Sequence, residues 1–282
     1  MRQPFVAVIL ALVAAGPALP ATPDPVAAKA VAATARVEAG KPFEVGVLLR
    51  MQPGWHVYWL NPGESGLPTS VRWMAPEGYR VGALRWPVPR RFEQPGGVVG
   101  YGYDDAVLLR ATVTPPATLA DPGPVHLRAE VGWLACESLC IRGKKSLDLT
   151  LGADGGGGAD PALFTEWAPR FPVDAGGADA PATVTAHGGV PADGSVGGVT
   201  VTVDWKQAPA SVEWFPPDDR ALAVEAATSE TDGARTQLTF RAKRLPGEHL
   251  DGSTLESVVA WTDTSGARHG LRVPIALDGK ET

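Results

Sequence analysis

Val125-His126-Leu127-Arg128-Ala129-Glu130-Val131-Gly132-Trp133-Leu134-Ala135-Cys136-Glu137-Ser138-Leu139-Cys140-Ile141-Arg142-Gly143, with residues 145–151 close behind, is the stretch on which the fold turns. Apolar and polar residues alternate through 125–131, the pattern of a strand with one buried face. The run 145–151 returns at once. A strand, a tight turn and a returning strand would set Cys136 and Cys140 nearly opposite each other across a hairpin. Opposed Cβ atoms lie about 4.5–5.5 Å apart and a relaxed disulfide wants about 3.5–4.5 Å, so a bridge is feasible. One helical turn would also bring the two sulfurs together through their i, i+4 spacing.

Working outward, β-rich runs recur at 43–51, 55–60, 69–74, 79–86 and 107–113. Pro and Gly punctuate the gaps, as in Gln52-Pro53-Gly54, Asn61-Pro62-Gly63 and Asp121-Pro122-Gly123-Pro124. Strands this short and this frequent predict a sandwich of two antiparallel sheets over residues 22–151. Gly152-Ala153-Asp154-Gly155-Gly156-Gly157-Gly158 then opens a Gly-rich linker, 152–181, with a short helix over 161–170 closed by Pro172. The β-pattern resumes at 199–205, 211–215, 222–227, 236–243, 255–262 and 271–277, a second sandwich over 182–282. The class is all-β, two sandwich domains in tandem.

The amino terminus has Arg2, an apolar run over 5–15, helix breakers at Gly16, Pro17 and Pro20, and small Ala21. That order is a cleavable signal peptide over 1–21, and the apolar run falls short of the about 20 residues needed to span a bilayer. The expectation is a soluble periplasmic protein with no transmembrane segment in the mature chain. A chain of 282 residues can bury a core without covalent staples. Net charge is −6 with both signs scattered, so no basic stripe offers itself to nucleic acid or anionic lipid.

The only two cysteines are Cys136 and Cys140. Closing a loop of about five residues stabilises by about 2 kcal/mol, against about 4.7 for a loop of 100, so this bridge is a weak staple. Redox exchange, a structural bridge and metal binding all stay open for a C-x3-C pair. Arg142, Lys144 and Lys145 could favour a thiolate, and Glu137 would oppose it. His56 and His126 could complete a Cys2His2 site, with Met51 or Met74 as softer ligands, but their separations are long and irregular. Trp55, Trp59, Trp73 and Trp86 fall in strand patterns and belong to packing rather than to a sugar platform. No metal or cofactor is expected.

Wording around the cysteines adds a family. Gly54-Trp55-His56-Val57-Tyr58-Trp59-Leu60-Asn61-Pro62-Gly63-Glu64-Ser65-Gly66-Leu67-Pro68-Thr69 resembles the amino-terminal periplasmic region of the thiol:disulfide interchange proteins DsbD and ScsB. So do Trp86-Pro87-Val88-Pro89-Arg90-Arg91-Phe92, Tyr101-Gly102-Tyr103 and residues 133–143. The likeness is closest to the ScsB-like branch, over about 40–150, with weaker wording at 205–217. It implies immunoglobulin-like sandwiches and an electron relay. A CcdA- or DsbD-type membrane donor and thioredoxin-like periplasmic proteins would be the partners, and disulfide isomerases or cytochrome c maturation thioredoxins the acceptors. It places the redox pair on Cys136 and Cys140, with Cys140 in the mixed disulfide and Cys136 resolving it. Phe92 becomes the aromatic cap, and Tyr101 or Tyr103 the lining of the site. The chain holds neither the transmembrane module nor the thioredoxin-like domain of the family, so separate proteins would supply the electrons, or the chain is a shortened product. A non-redox adaptor with a structural bridge and a copper-handling protein are the alternatives.

Overall fold

The computed structural model describes residues 24–94, 96–119, 123–152, 158–177, 180–248 and 254–277. The expected signal peptide over 1–21 and most of the Gly-rich run at 152–158 lie outside the described residues.

Two facing sheets form from residues up to Leu151. Their strands are β1 (Val26–Ala32), β2 (Phe43–Met51), β3 (His56–Gly63), β4 (Ser70–Met74), β5 (Arg80–Val81), β6 (Arg90–Gln94), β7 (Val98–Asp104), β8 (Ala106–Thr114), β9 (Val125–Cys136) and β10 (Cys140–Leu151). One sheet runs β1-β2-β8-β5. The other runs β10-β9-β3-β7-β6, with β4 also on β9. Val47, Leu49 and Leu109 of the first meet Val57, Trp59, Val131 and Ala135 of the second in one buried cluster. The alternation read from 125–131 persists along β9, whose odd-numbered residues are buried through Ala135.

The expected strand at 79–86 contracts to Arg80–Val81, plus one bridge between Arg85 and Arg110. Three strands of this half, β1, β6 and β7, were not foreseen. In β7 the glycines at 100 and 102 disguise a strand as a turn.

After Leu151 the chain enters α1 (Pro161–Trp167). Asp160 caps it by accepting the Leu163 N–H at 3.0 Å, and Pro161 opens it, where a missing N–H costs nothing. Leu163, Phe164 and Trp167 pack onto Val31, Leu48 and Leu108, so the helix covers the outer face of the first sheet. The buried Arg110 guanidinium donates to the Phe164 carbonyl and lies 3.4 Å from Glu44.

The remaining strands are β11 (Val173–Asp174), β12 (Ala182–Gly189), β13 (Gly197–Trp205), β14 (Ser211–Phe215), β15 (Leu222–Asp232), β16 (Arg235–Arg244), β17 (Thr254–Thr262) and β18 (Arg268–Ala276). They make two further sheets, β11-β18-β17-β14 and β12-β13-β16-β15. Val201, Leu238 and Phe240 of one face Val259, Leu271 and Val273 of the other, a second sandwich.

The two sandwiches share apolar packing. Phe215 of β14 is fully buried among residues of the first core, edge-on to Trp59 at 5.9 Å and to Tyr101 at 5.3 Å between centroids. Beside it the Asn61 amide donates to the Pro216 carbonyl at 2.8 Å, and Arg268 donates to the Pro89 carbonyl at 2.9 Å. Truncating a buried phenylalanine costs about 3–5 kcal/mol. Phe215→Ala is therefore expected to lower unfolding stability by about that amount, read as a fall in the urea midpoint. An unchanged midpoint would mean that the sandwiches do not brace each other.

Candidate functional site

β9 and β10 pair in antiparallel register along their full length, from Val125 opposite Leu151 to Cys136 opposite Cys140. Glu137, Ser138 and Leu139 make the turn, with the Glu137 N–H donating to the Leu139 carbonyl at 3.0 Å. The cysteines are joined as a disulfide, with Cα atoms 4.1 Å apart. Both sulfurs thus sit at the end of a hairpin whose register places them together, and no helical turn is involved.

The two cysteines differ in exposure. Alternation along β9 turns even-numbered residues outward, yet Cys136 is only 2 % exposed, while Cys140 is open to solvent. The cover comes from β3 and β6. His56 lies directly opposite Cys136 on β9 and Asp104 on β7. Tyr58, two residues along the same face, donates its hydroxyl hydrogen to Cys136 Sγ at 3.3 Å. The Gln94 amide donates to that hydroxyl oxygen at 2.9 Å, and its own carbonyl accepts the Ser65 hydroxyl at 3.2 Å. His56 Nε2 is 3.4 Å from the same oxygen.

Phe92 completes the cover. Its ring is 4.2 Å from the His56 ring and 5.9 Å from that of Tyr58. Phe92 pairs with Gly100, where a Cβ would fall inside the Phe92 ring. The glycine there makes room for the aromatic. Gly66, at φ +110°, plays the same part for the loop folded over Tyr58, since a Cβ would strike the phenol ring.

Phe92 is therefore brought to the cysteine end, and Tyr101 and Tyr103 are not. Strand parity places them: Phe92 faces Gly100, so Tyr101 and Tyr103 lie on the opposite face of the sheet, against the core. Tyr101 lies against Phe215, and the buried Tyr103 donates to the Pro87 carbonyl at 2.8 Å. Lys145 likewise points away, paired with Asp24 at 2.7 Å and lying over the Trp133 ring. Arg142 and Lys144 share the face of the cysteines, in register with Leu134 and Gly132. His126 sits ten residues down β9, on the order of 33 Å away, beside Met74. Met51 is buried in the core. No Cys2His2 set assembles from these side chains. Among the described residues, Tyr58, Gln94 and Ser65 are the partners that sequence reading missed. The i, i+2 spacing of His56 and Tyr58 in a strand was the available signal.

Electrostatics at the site are mild. Burial pushes the His56 imidazole below its ordinary pKa, and Asp104 pulls it back up. Burial raises the Tyr58 phenol, with Gln94 and Ser65 opposing, so it stays protonated and able to donate. Glu137 is held below the usual carboxylate range by Ser138, which leaves a negative charge at the hairpin tip.

An exposed sulfur bonded to a covered one at a hairpin end is an arrangement suited to thiol–disulfide exchange. Residues 22–152 match the family model "Thiol:disulfide interchange protein DsbD, N-terminal". Among solved structures the chain resembles the N-terminal periplasmic domain of ScsB from Proteus mirabilis at TM-score 0.63 and 18% identity, covering 91% of this chain and 96% of that one. That likeness establishes the fold, two immunoglobulin-like sandwiches. The Neisseria meningitidis DsbD N-terminal domain in its reduced form matches at TM-score 0.27 and 12% identity, over 46% of this chain and 86% of that one. No curated protein matches the sequence. Among the described residues no helix is long and apolar enough to cross a membrane.

Two outcomes follow. In an NMR titration His56 is expected to have its midpoint below 6.5, and Asp104→Asn to lower it further, because Asp104 favours the charged ring; an upward move would contradict the assignment. The bridge closes only a short loop, so reducing it is expected to cost no more than about 2 kcal/mol in urea unfolding.

Proposed function

We propose that this chain is a periplasmic thiol–disulfide exchange component, relaying reducing equivalents through Cys136 and Cys140 between a thioredoxin-like or membrane-bound donor and envelope acceptors. The functional unit on this reading is residues 22–151, with 182–282 as a docked brace. One observation carries it: of two bonded sulfurs, one faces solvent and the other is buried beside Tyr58 and His56, on whose rings Phe92 packs.

Exchange requires in-line attack of a thiolate on one sulfur, with the other leaving. A donor thiolate reaches Cys140 Sγ from outside the hairpin. The new bond joins donor sulfur to Cys140, the old bond breaks, and Cys136 leaves with the electron pair. The donor's second thiolate then attacks its own sulfur in the mixed disulfide and releases Cys140. Two electrons and, with solvent protonation, two protons have passed to the pair. The reduced pair performs the converse on an acceptor disulfide, with Cys140 attacking and Cys136 resolving. The hairpin is the same in both directions, so the acceptor's potential decides the flow. Phe92 shields the covered sulfur from small oxidants and yields to a docking protein. Leu139, 56% exposed between the cysteines, offers that protein an apolar foothold.

The bridge adds little to a hairpin of two twelve-residue strands, which weighs against a purely structural role. The test uses the oxidised full chain and a reduced thioredoxin-like protein with its resolving cysteine removed. The Cys136→Ser variant, activated on Cys140, should accumulate a mixed disulfide with it, and Cys140→Ser should not. Phe92→Ala should speed reduction by glutathione several-fold. A bridge that exchanges with no thiol-bearing protein, and no faster without Phe92, would leave only a structural disulfide.

A further inference from the structure

A tyrosine hydroxyl carries one hydrogen and two acceptor positions. At Tyr58 the Gln94 amide hydrogen occupies an acceptor position. The amide carbonyl receives the Ser65 hydroxyl, which goes with the amide NH2 facing the phenol. With Nε2 protonated, His56 donates to the same oxygen. Ser65 also lies within reach of the phenol, but a disulfide sulfur carries no hydrogen, so the bond at Cys136 Sγ is donated by Tyr58. The arrangement is polar and directional, and it lies among side chains that cover the sulfur.

We propose that Ser65 and Gln94 form a positioning relay that locks the Tyr58 hydroxyl as a hydrogen-bond donor to Cys136, making Cys136 the sulfur that leaves. The inference rests on the exchange reading and deepens it by assigning how the leaving sulfur is stabilised. As an incoming thiolate bonds to Cys140, negative charge develops on Cys136, and a donor aimed at that sulfur binds it more strongly than it binds the neutral disulfide. No proton need transfer: the charge arrives with the attacking thiolate and ends on Cys136 until solvent or a partner protonates it. The phenol's raised pKa keeps the donor in place through the working range.

The charged and titratable groups facing this point are few. His56 stands beside Tyr58, Asp104 lies opposite His56 and pairs with Arg90, Glu137 projects from the turn, and Arg142 and Lys144 follow Cys140 on the same face of β10. Cys140 is the bonded partner itself. Ser65 and Gln94 carry no charge, so the relay itself does not titrate.

The experiment measures the Cys136 thiol pKa by thiolate absorbance in the full chain carrying Cys140→Ser, and the glutathione reduction rate of the intact pair. A hydrogen bond to a charged group changes such an equilibrium by about tenfold or more. Tyr58→Phe is expected to raise the Cys136 pKa by about one unit and slow reduction about tenfold. Gln94→Leu adds no charge and frees the phenol hydrogen to turn away from the sulfur, so it should raise the pKa in the same direction as Tyr58→Phe and by less. Because Gln94 acts through Tyr58, the double variant should match Tyr58→Phe alone. Unchanged values in Tyr58→Phe overturn the proposal, and so do additive effects in the double variant. A wild-type disulfide that no thiol reduces overturns the exchange reading instead, while the pKa, read without any partner, still reports on the relay.

Discussion

Cross-strand register at the end of one hairpin governs this molecule. Because Cys136 sits opposite Cys140, the two sulfurs are held together before any bond forms, and the three-residue turn leaves them little freedom to part. The same pairing makes them unequal. β9 is an inner strand with β3 and β4 on one side and β10 on the other, whereas β10 is an edge strand. On the outer face a cysteine of the inner strand has neighbouring strands on both sides to cover it, and one on the edge strand has a neighbour on one side alone. Inequality between the sulfurs thus follows from sheet order and gives an attacking thiolate one way in.

The cover over Cys136 depends in turn on the sheet staying in place. β3 supplies His56 and Tyr58 to the outer face and Val57 and Trp59 to the core. Trp59 lies edge-on to Phe215 of the second sandwich, and Asn61, at the end of the same strand, holds the Pro216 carbonyl. The second sandwich therefore grips the strand that presents Tyr58 to the disulfide. A domain without cysteines acquires a role by fixing the geometry of one that has them.

Much of this was legible in the residues. Alternation over 125–131 and the immediate return at 145–151 announced the hairpin, and 43–51 and 211–215 match β2 and β14 end to end. What stayed hidden has physical causes. β7 was overlooked because Gly100 and Gly102 lower strand propensity, yet Gly100 is there to admit the Phe92 ring. Tyr101 and Tyr103 were assigned to the site from wording rather than from parity, and the period of two in a strand places them on the opposite face. The Ser65–Gln94–Tyr58 chain joins a loop, an edge strand and an inner strand. No local pattern can reveal such a contact, since only the sheet order brings its members together.

The most direct test of the sulfur asymmetry is to quench the reaction of the oxidised protein with glutathione early and map the mixed disulfide by peptide mass spectrometry. The account predicts that glutathione is found on Cys140, with Cys136 free as a thiol. Glutathione found mainly on Cys136, or shared equally between the two, would contradict it.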